Sequence, residues 1–243
     1  IEDIEEVIVT GRRKDKALND MASVSARSFT VEETERYAGT WLDPARMASN
    51  YAGVMTTGDQ RNDIIIRGNS PLGLLWKLEG ISIPNPNHFG TLGTTGGPIS
   101  ILNNNVLDNS DFFTGAFPAE YGNALSGVFD LKMRNGNNEQ YEFTAQAGMN
   151  GLEFGAEGPF KKDSRSSFLF NYRYSTLAVF EFLDIHFGVS GVPEFQDVSY
   201  KLNIVSDNAG TFSLFGVGGI SSIEVFYEDK KDDDFDTKTE GIY

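Results

Sequence analysis

Apolar and polar residues alternate along the second half of the chain, from residue 139 onward. Phe168 and Phe170 share one face of such a segment, while Asn171 and Arg173 lie on the other. A period of two is the pattern of a β-strand with two different faces. About five such strands, each of roughly ten residues, fit into residues 139–243, with unequal connections between them. They fall within EQYEFTAQAGMN, GLEFGAEGPF, SSFLFNYRY, VSYKLNIVS and TFSLFGVGG.

The first half instead contains short apolar runs between turns that carry glycine and proline. Ile64–Ile66 and Leu74–Leu78 flank the turn Arg67-Gly68-Asn69-Ser70-Pro71, which predicts two buried strands in a hairpin-like core element. Gly68 and Gly80 provide backbone freedom where the chain bends. Arg67 adjoins the isoleucines, so we expect a carboxylate or carbonyl groups to meet its charge. Further strands are predicted within residues 21–29, 106–113 and 124–134.

Two short helices and two loops complete the first half. Thr30 and Glu33 form a capping box, which predicts a helix over about 31–38. Asp43 followed by Pro44 is a helix N-cap with proline at the first helical position, so a second helix begins there. Residues 84–105 are rich in Pro, Gly, Asn and Thr, and form either a connector or a contact for a small polar ligand. Residues 135–138 are a hairpin turn or a domain linker, and the new pattern beyond them favours the linker.

Charge and composition exclude several kinds of function. A formal net charge of −15 in 243 residues argues against nucleic acid or an anionic membrane surface as a partner. The chain has no cysteine, and His88 and His186 have no ligand spacing, so neither a metal nor a cofactor is predicted. The acidic run over residues 228–240 has the composition of a solvated loop and lacks the spacing of a calcium loop. No apolar run reaches the roughly 18–20 residues of a membrane helix.

The alternating pattern is compatible with two fold classes. Alternating strands with unequal loops are typical of an outer-membrane β-barrel, and a soluble sandwich alternates as well. Aromatic side chains on the apolar face, with small residues among them, favour the barrel. Residues 7–10 are either an edge strand or an extended peptide offered to a partner's sheet edge. The chain opens on Ile1 without a signal peptide, which predicts a mature or trimmed form.

Four segments in order resemble the plug domain of TonB-dependent outer-membrane receptors, in the style of Bacteroidetes-type bacteria. They are IEEVIVTG, DIIIRG, LLWKLEGISI and FFTGAFPAEYGNALSGVFDLKM, and the resemblance covers about residues 4–134. The alternating strands then stand where that family's barrel begins. The chain departs from the family in having Glu79-Gly80 in place of Asp-Gly, and Thr114 where a basic residue often precedes the glycine.

The resemblance implies energy-coupled uptake of a scarce nutrient across the outer membrane of a Gram-negative cell. Its partners would be a TonB-type periplasmic energiser, an extracellular small ligand, outer-membrane lipid and, for glycan or peptide cargo, a surface lipoprotein. It implies an α+β plug domain, a small mixed sheet with short helices, followed by antiparallel strands of an incomplete transmembrane β-barrel. The corresponding domains are a coupling segment over 1–16, a plug over 17–137 and barrel strands over 138–243.

Site residues follow from the same resemblance, with Arg67 expected to pair with a carboxylate of the barrel wall or the plug. The coupling segment would be Glu5, Glu6, Val7, Ile8, Val9 and Thr10. The plug motifs would be Arg67, Gly68, Glu79, Gly80, Tyr121, Gly122 and Gly127. The loops over 68–73 and 85–95 would face the ligand, with Asn69, Ser70, Asn85, Asn87, His88, Phe89, Thr94 and Thr95 as candidates.

Strand number sets a limit on this interpretation. About five strands fall far short of the roughly 22 that close the lumen of a plugged transporter. We therefore expect a fragment, whose strands pair with another copy or fold onto the plug to cover their edges. The alternative is a soluble β-rich module that binds glycans or peptides. An enzyme is not predicted, because no catalytic pair of side chains stands out, and the cargo is not specified by these residues.

Overall fold

A computed structural model of the chain describes residues 17–22, 24–37, 39–148, 151–175 and 191–225. The described chain is mostly β, with antiparallel pairing and few helices, which confirms the coarse prediction of the fold class. The helices are α1 Val31–Arg36 and α2 Pro44–Ala48. The first strands are β1 Ala26–Phe29, β2 Val54–Thr56, β3 Ile64–Ile66, β4 Leu74–Leu78, β5 Ile81–Ile83, β6 Asn87–His88, β7 Ile99–Ser100, β8 Ser110–Phe113 and β9 Gly127–Leu131. The last are β10 Glu142–Gly148, β11 Gly151–Pro159, β12 Ser167–Tyr174, β13 Gly191–Ser206 and β14 Gly210–Val225.

Five strands of residues 17–137, here called the N-terminal half, form a mixed sheet in the order β1-β8-β9-β4-β5. β4 and β9 pair in parallel, and the other neighbours are antiparallel. A row of aromatic rings crosses this sheet: Trp76 stacks on Phe129 at 4.4 Å between centroids, and Phe112 lies 4.4 Å from Phe129 on its other side. Such cross-strand aromatic pairs stabilise a sheet beyond the area they bury. The main hydrophobic core is therefore built on the mixed sheet.

The strands of the predicted hairpin exist, but they do not pair with each other. β3 pairs with β2, whereas β4 pairs with β5 and β9. The hairpin prediction is wrong in this respect, because the turn at Arg67-Gly68 closes only a single bridge between Ile66 and Asn69. Gly68 and Gly80 do adopt positive φ, +79° and +82°, as the turn chemistry predicts. The residues before them, Arg67 and Glu79, also have positive φ, which is the geometry of a tight two-residue turn.

Both helix starts follow the predicted caps. Thr30 and Glu33 form the capping box of α1, which ends at Arg36, two residues before the predicted end. The Asp43 side chain accepts a hydrogen bond from the Ala45 N–H at the start of α2. Within the described ranges no helix is both long and apolar enough to cross a membrane.

Strands β10 to β14, here called the meander, form a second antiparallel sheet in sequence order. Their registers bring two kinds of connection to opposite ends. Residues 160–166 and 207–209 are short turns at one end, while the β10–β11 connection and the longer β12–β13 connection lie at the other. Five alternating strands are confirmed within the described residues, and the predicted domain boundaries stay predictions.

The two faces of the meander have inverted polarity. One face lies against the N-terminal half and buries polar side chains: Glu153, Glu157, Asn171, Asp197, Ser199, Lys201 and Asn203. The opposite face exposes large apolar side chains: Phe143, Phe154, Phe170, Tyr174, Ile204, Phe212, Leu214 and Ile220. The apolar faces predicted from the alternation exist, but they point away from the rest of the described chain. The meander thus packs on the N-terminal half through its polar face, whereas β10 and β14 lie at the ends of the sheet order and the covering of their edges stays a prediction.

Candidate functional site

Buried charged and amide groups join the N-terminal half to the polar face of the meander. All but one of the fully buried residues in the main hydrophobic core belong to the N-terminal half, the exception being Leu169 of β12. Leu169, Phe215 and Val217 make apolar contacts with that core, and the Phe195 ring lies 4.8 Å from His88. Beside these contacts, hydrogen bonds and ion pairs cross the boundary in four groups along the meander. These four groups make up the candidate functional site.

The first group is a His–Asp–Arg cluster. His88 Nε2 lies 2.9 Å from Asp197 Oδ2, and both side chains are fully buried. Arg173 donates from Nη2 to the same oxygen at 2.7 Å and to the Ser100 carbonyl, also at 2.7 Å. A Cβ at Gly219 would lie 2.5 Å from His88 Cε1, so only glycine there lets the imidazole ring approach β14. Asp197 thus receives hydrogen bonds from both halves of the molecule.

The second group links Lys201 of β13 to the turn after β4. Lys201 Nζ donates to Glu79 Oε1 at 3.1 Å and to the Met133 carbonyl at 2.6 Å. Glu79 Oε1 also accepts the Met133 N–H at 2.5 Å. The positive φ of Glu79 belongs to the turn that brings its carboxylate to this point. Glu79 therefore has a structural partner in the meander.

The third group is a bidentate ion pair at the turn end of the meander. Arg134 donates from Nη1 and Nη2 to the two carboxylate oxygens of Glu157, each at 2.6 Å. Its Nε donates to the Asn105 carbonyl at 2.6 Å, and the Asn137 N–H donates to Glu157 at 2.7 Å. The planar guanidinium matches a carboxylate in this fork geometry, so the pair fixes orientation as well as distance.

The fourth group consists of amides around Glu153 of β11. Asn171 Nδ2 donates to Glu153 Oε1 at 2.7 Å, and Asn105 Nδ2 donates to the same oxygen. Asn103 Nδ2 donates to Asn171 Oδ1 at 3.0 Å. Asn103 and Asn105 belong to a 3-10 turn of the N-terminal half, Asn104–Val106 and its cap. This group therefore joins the halves through neutral side chains and one carboxylate.

A cavity of about 330 Å³ lies beside the amide group, between the N-terminal half and the β10–β11 end of the meander. Its lining is Trp41, Leu42, Asn103, Asn104, Gln146, Ala147, Gly148, Gly151, Leu152, Glu153 and Arg173. Next to it, Asp43 accepts a hydrogen bond from Asn62 Nδ2 at 2.7 Å. Burial raises the pKa of the Asp43 carboxyl, against the hydrogen bonds from Asn62 and the Ala45 N–H, which lower it.

The residues predicted to face a ligand separate into two sets. Asn69 and Ser70 are exposed, and Asn85, Phe89 and Thr94 are half-buried, so their ligand contact stays a prediction. Asn87, His88 and Thr95 are buried and hydrogen-bonded within the fold, and their ligand contact also stays a prediction. Asn87 accepts from Asn62 at 2.6 Å, for example, and Thr95 Oγ1 donates to the Pro71 carbonyl at 2.7 Å.

Arg67 does not have the predicted carboxylate or carbonyl partner among the described residues. Its Nη2 donates to the hydroxyls of Ser25, at 3.0 Å, and Thr114, at 3.3 Å. The side chain is exposed in the turn after β3, so water solvates the charge and no anion is needed. Among the other plug-motif residues, Gly122 is exposed and Gly127 is buried within β9.

Tyr121 belongs to a clamp on residues 18 and 19, at the start of the described chain. The Leu18 and Asn19 N–H groups each donate to the Asp111 carboxylate at 2.8 Å. Asn19 Nδ2 donates to Tyr121 OH at 3.0 Å, and Tyr121 OH donates to Asp130 Oδ2 at 2.7 Å. Burial, and then the hydrogen bond to Asp130, raise the pKa of the Tyr121 hydroxyl. The predicted coupling segment, Glu5–Thr10, precedes this clamp and lies outside the described residues.

Sequence reasoning missed the charged residues that the meander contributes: Glu153, Glu157, Arg173, Asp197 and Lys201. Each alternates with apolar residues in its strand, and that alternation was the signal available. A charged residue in that pattern points either to water or into a polar interior, and local sequence does not separate the two. No group of acidic, histidine or cysteine side chains that could hold a metal occurs in the described part of the chain.

No protein-family model matches the chain, and no curated protein matches it. Several solved structures are similar to it, among them two outer-membrane proteins. One is the pyoverdine outer membrane receptor FpvA from Pseudomonas aeruginosa PAO1 bound to pyoverdine, with 11% identity over 74% of this chain and a TM-score of 0.49. The other is the outer membrane transporter YddB from Escherichia coli, with 17% identity over 84% of this chain and a TM-score of 0.39. The matched part spans 25% and 31% of those two chains.

Proposed function

We propose that this chain is the N-terminal part of a TonB-dependent transporter of the outer membrane, of the Bacteroidetes type, that takes up a scarce nutrient. In this proposal the meander is the first part of the barrel wall and the N-terminal half is the plug. The observation that carries the proposal is the inverted polarity of the meander. One face exposes large apolar side chains such as Phe143 and Phe154, and the opposite face buries charged ones such as Asp197 and Lys201, beside the apolar Leu169 and Phe195.

Lipid explains that inversion better than water does. A transmembrane barrel directs apolar side chains towards hydrocarbon and polar ones into its lumen, alternately along each strand. A soluble sandwich would bury the aromatic face between its sheets. Here Phe143 is 80% exposed, while Asp197 on the other face of the same sheet is 2% exposed. The alternative of a soluble ligand-binding module therefore leaves the larger apolar surface without a function.

The ends of the meander fit one orientation in the membrane. Outer-membrane barrels have short periplasmic turns and longer extracellular loops. The long β12–β13 connection would then be extracellular, together with the two-residue β10–β11 connection at the same end, and the turns over residues 160–166 and 207–209 would be periplasmic. The cavity beside Trp41 would open towards the outside of the cell.

The contacts between the halves support a plug that can move. In the main hydrophobic core the meander contributes Leu169, with Phe215 and Val217 packed against it, so displacement of the plug would uncover only that part of the core. Hydrogen bonds and ion pairs across the boundary can be exchanged for bonds to water at modest net cost. A pull on the chain before residue 17 would first reach the Asp111 clamp on Leu18 and Asn19.

Five strands do not close a lumen wide enough for the N-terminal half. Plugged transporters have roughly 22 strands, so the proposal requires further strands beyond those of the meander. The nutrient, and a surface lipoprotein as a further partner, belong to the same proposal. The full reading frame and its neighbouring genes would identify the nutrient and show whether a surface lipoprotein is encoded beside it.

Capture of the coupling segment tests the proposed energy coupling. We expect the periplasmic C-terminal domain of TonB to retain the detergent-purified whole gene product, and to lose it when Val7 and Val9 are replaced by proline. Strand addition needs backbone N–H groups, which proline lacks. The fraction retained on immobilised TonB domain is the measurement.

A single proline at Lys14 is the matched control, because it lies in the same N-terminal stretch but outside the coupling segment. It should be retained like the unsubstituted protein. Equal retention of the Val7→Pro, Val9→Pro variant would show that the coupling segment is assigned wrongly. Recovery of the gene product outside the outer-membrane fraction would contradict the proposal that it is an outer-membrane transporter.

A further inference from the structure

The cavity beside Trp41 has the size and the lining of a small-ligand site. Its volume of about 330 Å³ lies at the lower end of the range for ligand pockets, roughly 300–1,000 Å³. Trp41 is 58% exposed although the indole is a large apolar group. Trp41 and Leu42 both have positive φ, +52° and +59°, a conformation that costs a bulky residue free energy. The fold thus holds two apolar side chains at the mouth of a cavity that both halves line.

Three side chains of the lining each have one polar atom without a hydrogen-bond partner in the described chain. Asn104 is buried and its Oδ1 has no hydrogen-bond partner, whereas its Nδ2 donates to Thr34. Glu153 receives its hydrogen bonds on Oε1, so Oε2 is left as an acceptor. Arg173 uses Nε and Nη2 for its partners, so Nη1 is left as a donor. The cavity therefore combines acceptors with donors.

That combination selects the chemistry of the ligand. A hydroxyl group both donates and accepts, so it can satisfy either kind of group. An anionic ligand would meet the Glu153 carboxylate, and a cationic ligand would meet Arg173. The Arg46 guanidinium already lies 5.5 Å from the centroid of the Trp41 ring, which disfavours a second cation on that ring. Charged ligands of either sign are therefore disfavoured.

We infer that this cavity binds a neutral sugar ring, with its apolar face on Trp41 and its hydroxyls on Asn104, Glu153 and Arg173. The inference deepens the proposed function, on which it rests for the side from which the sugar arrives. It makes the cargo, or a terminal unit of it, a neutral glycan. The binding chemistry itself depends only on the residues that line the cavity.

A glycan array followed by calorimetry tests the inference. The detergent-purified whole gene product is applied to an array of neutral bacterial, plant and host oligosaccharides, and the bound ones are titrated. We expect at least one neutral oligosaccharide to bind. Replacing Trp41 with alanine should weaken it about tenfold or more, as the loss of an aromatic stacking platform does elsewhere. Glu153→Gln should weaken it about tenfold, because a charge-assisted acceptor is lost.

Met55→Ala is the matched control, since Met55 is 67% exposed on β2, outside both predicted ligand loops, and does not line the cavity. It should bind the same sugar with unchanged affinity, and Trp41→Phe should retain part of the affinity lost in Trp41→Ala. Trp41 is exposed, so its truncation leaves the fold intact even if Glu153→Gln disturbs the amide group. The inference is overturned if no neutral glycan binds, if Trp41→Ala binds as tightly as the unsubstituted protein, or if spermidine or citrate displaces the sugar.

This experiment is independent of the proposed transport. Sugar binding that depends on Trp41, in a gene product that is absent from the outer membrane, would support the inference and contradict the transporter. An outer-membrane gene product that captures TonB but binds no neutral glycan would do the reverse.

Discussion

Replacing Asp197 with alanine is expected to lower the free energy of unfolding by about 3–5 kcal/mol, the usual result of removing one partner from a buried ion pair. The buried His88 and the partly buried Arg173 would remain at the boundary without the carboxylate that both contact. Because His88 belongs to the N-terminal half, the variant should also loosen that half from the meander. Urea unfolding of the whole gene product reconstituted in vesicles measures the first effect, and hydrogen exchange in β6 and β7 measures the second.

Asp207→Ala is the control for the loss of a carboxylate that pairs with arginine. Asp207 contacts Arg165 in a short turn, and its side chain is 86% exposed. An exposed pair of this kind is worth about 0–1 kcal/mol, so the control should unfold almost like the unsubstituted protein. If Asp197→Ala and Asp207→Ala changed stability equally, the buried cluster would not hold the two halves together.

Replacing Phe154 with arginine should lower stability in a lipid bilayer by about 2–4 kcal/mol, the cost of a cationic side chain at the midplane of a barrel wall. Phe154 lies near the middle of β11 and is 54% exposed on the apolar face of the meander. If water covered this face, the same change would remove an exposed aromatic group and cost almost nothing. The free energy of unfolding in vesicles, compared with that of the unsubstituted protein, is the measurement.

Two further arginine substitutions make this prediction specific to depth in the membrane. Phe160 follows the end of β11 at the turn side, where the cost should fall to about 0–1 kcal/mol. Leu92 is exposed on a loop of the N-terminal half, so Leu92→Arg should also have little effect. Equal stability of Phe154→Arg and Leu92→Arg would remove the reason for placing the meander in lipid.

Local sequence predicted the elements well where one physical rule dominates. The capping box at Thr30 and Glu33 and the cap at Asp43 each combine a side-chain acceptor with free N–H groups, and α1 and α2 begin there. Gly68 and Gly80 have the positive φ that their turns require. The alternation after residue 139 likewise predicted the strands of the meander.

Strand partners were harder to predict than strands. An apolar run such as Ile64–Ile66 indicates burial, but it does not specify which other strand forms backbone hydrogen bonds with it. Its partner is β2, a short strand whose Met55 and Thr56 are exposed and which no periodic pattern marked. Long-range pairing of this kind depends on the packing of the whole core and not on local pattern.

The candidate site was only partly predictable for a related reason. The side chains of a loop rich in Asn, Thr and Gly can bind a ligand or form hydrogen bonds within the protein. Here Asn85, Asn87 and Thr95 take part in hydrogen bonds inside the fold. His88 is buried because Asp197, more than a hundred positions later, supplies its partner. The cavity joins residues near 41, 104 and 153, which only the packing of the two halves brings together.

Lipid exposure of the apolar face of the meander is the central claim, and site-directed fluorescence measures it most directly. These 243 residues contain no cysteine, so single cysteines at Phe143, Phe154 and Ile220 can each carry one environment-sensitive label. Lys162, in a short turn, gives the aqueous reference. In vesicles we expect spin-labelled lipid to quench the first three labels and iodide to quench only the label at residue 162. Quenching of all four labels by iodide, with no effect of the lipid quencher, would contradict it.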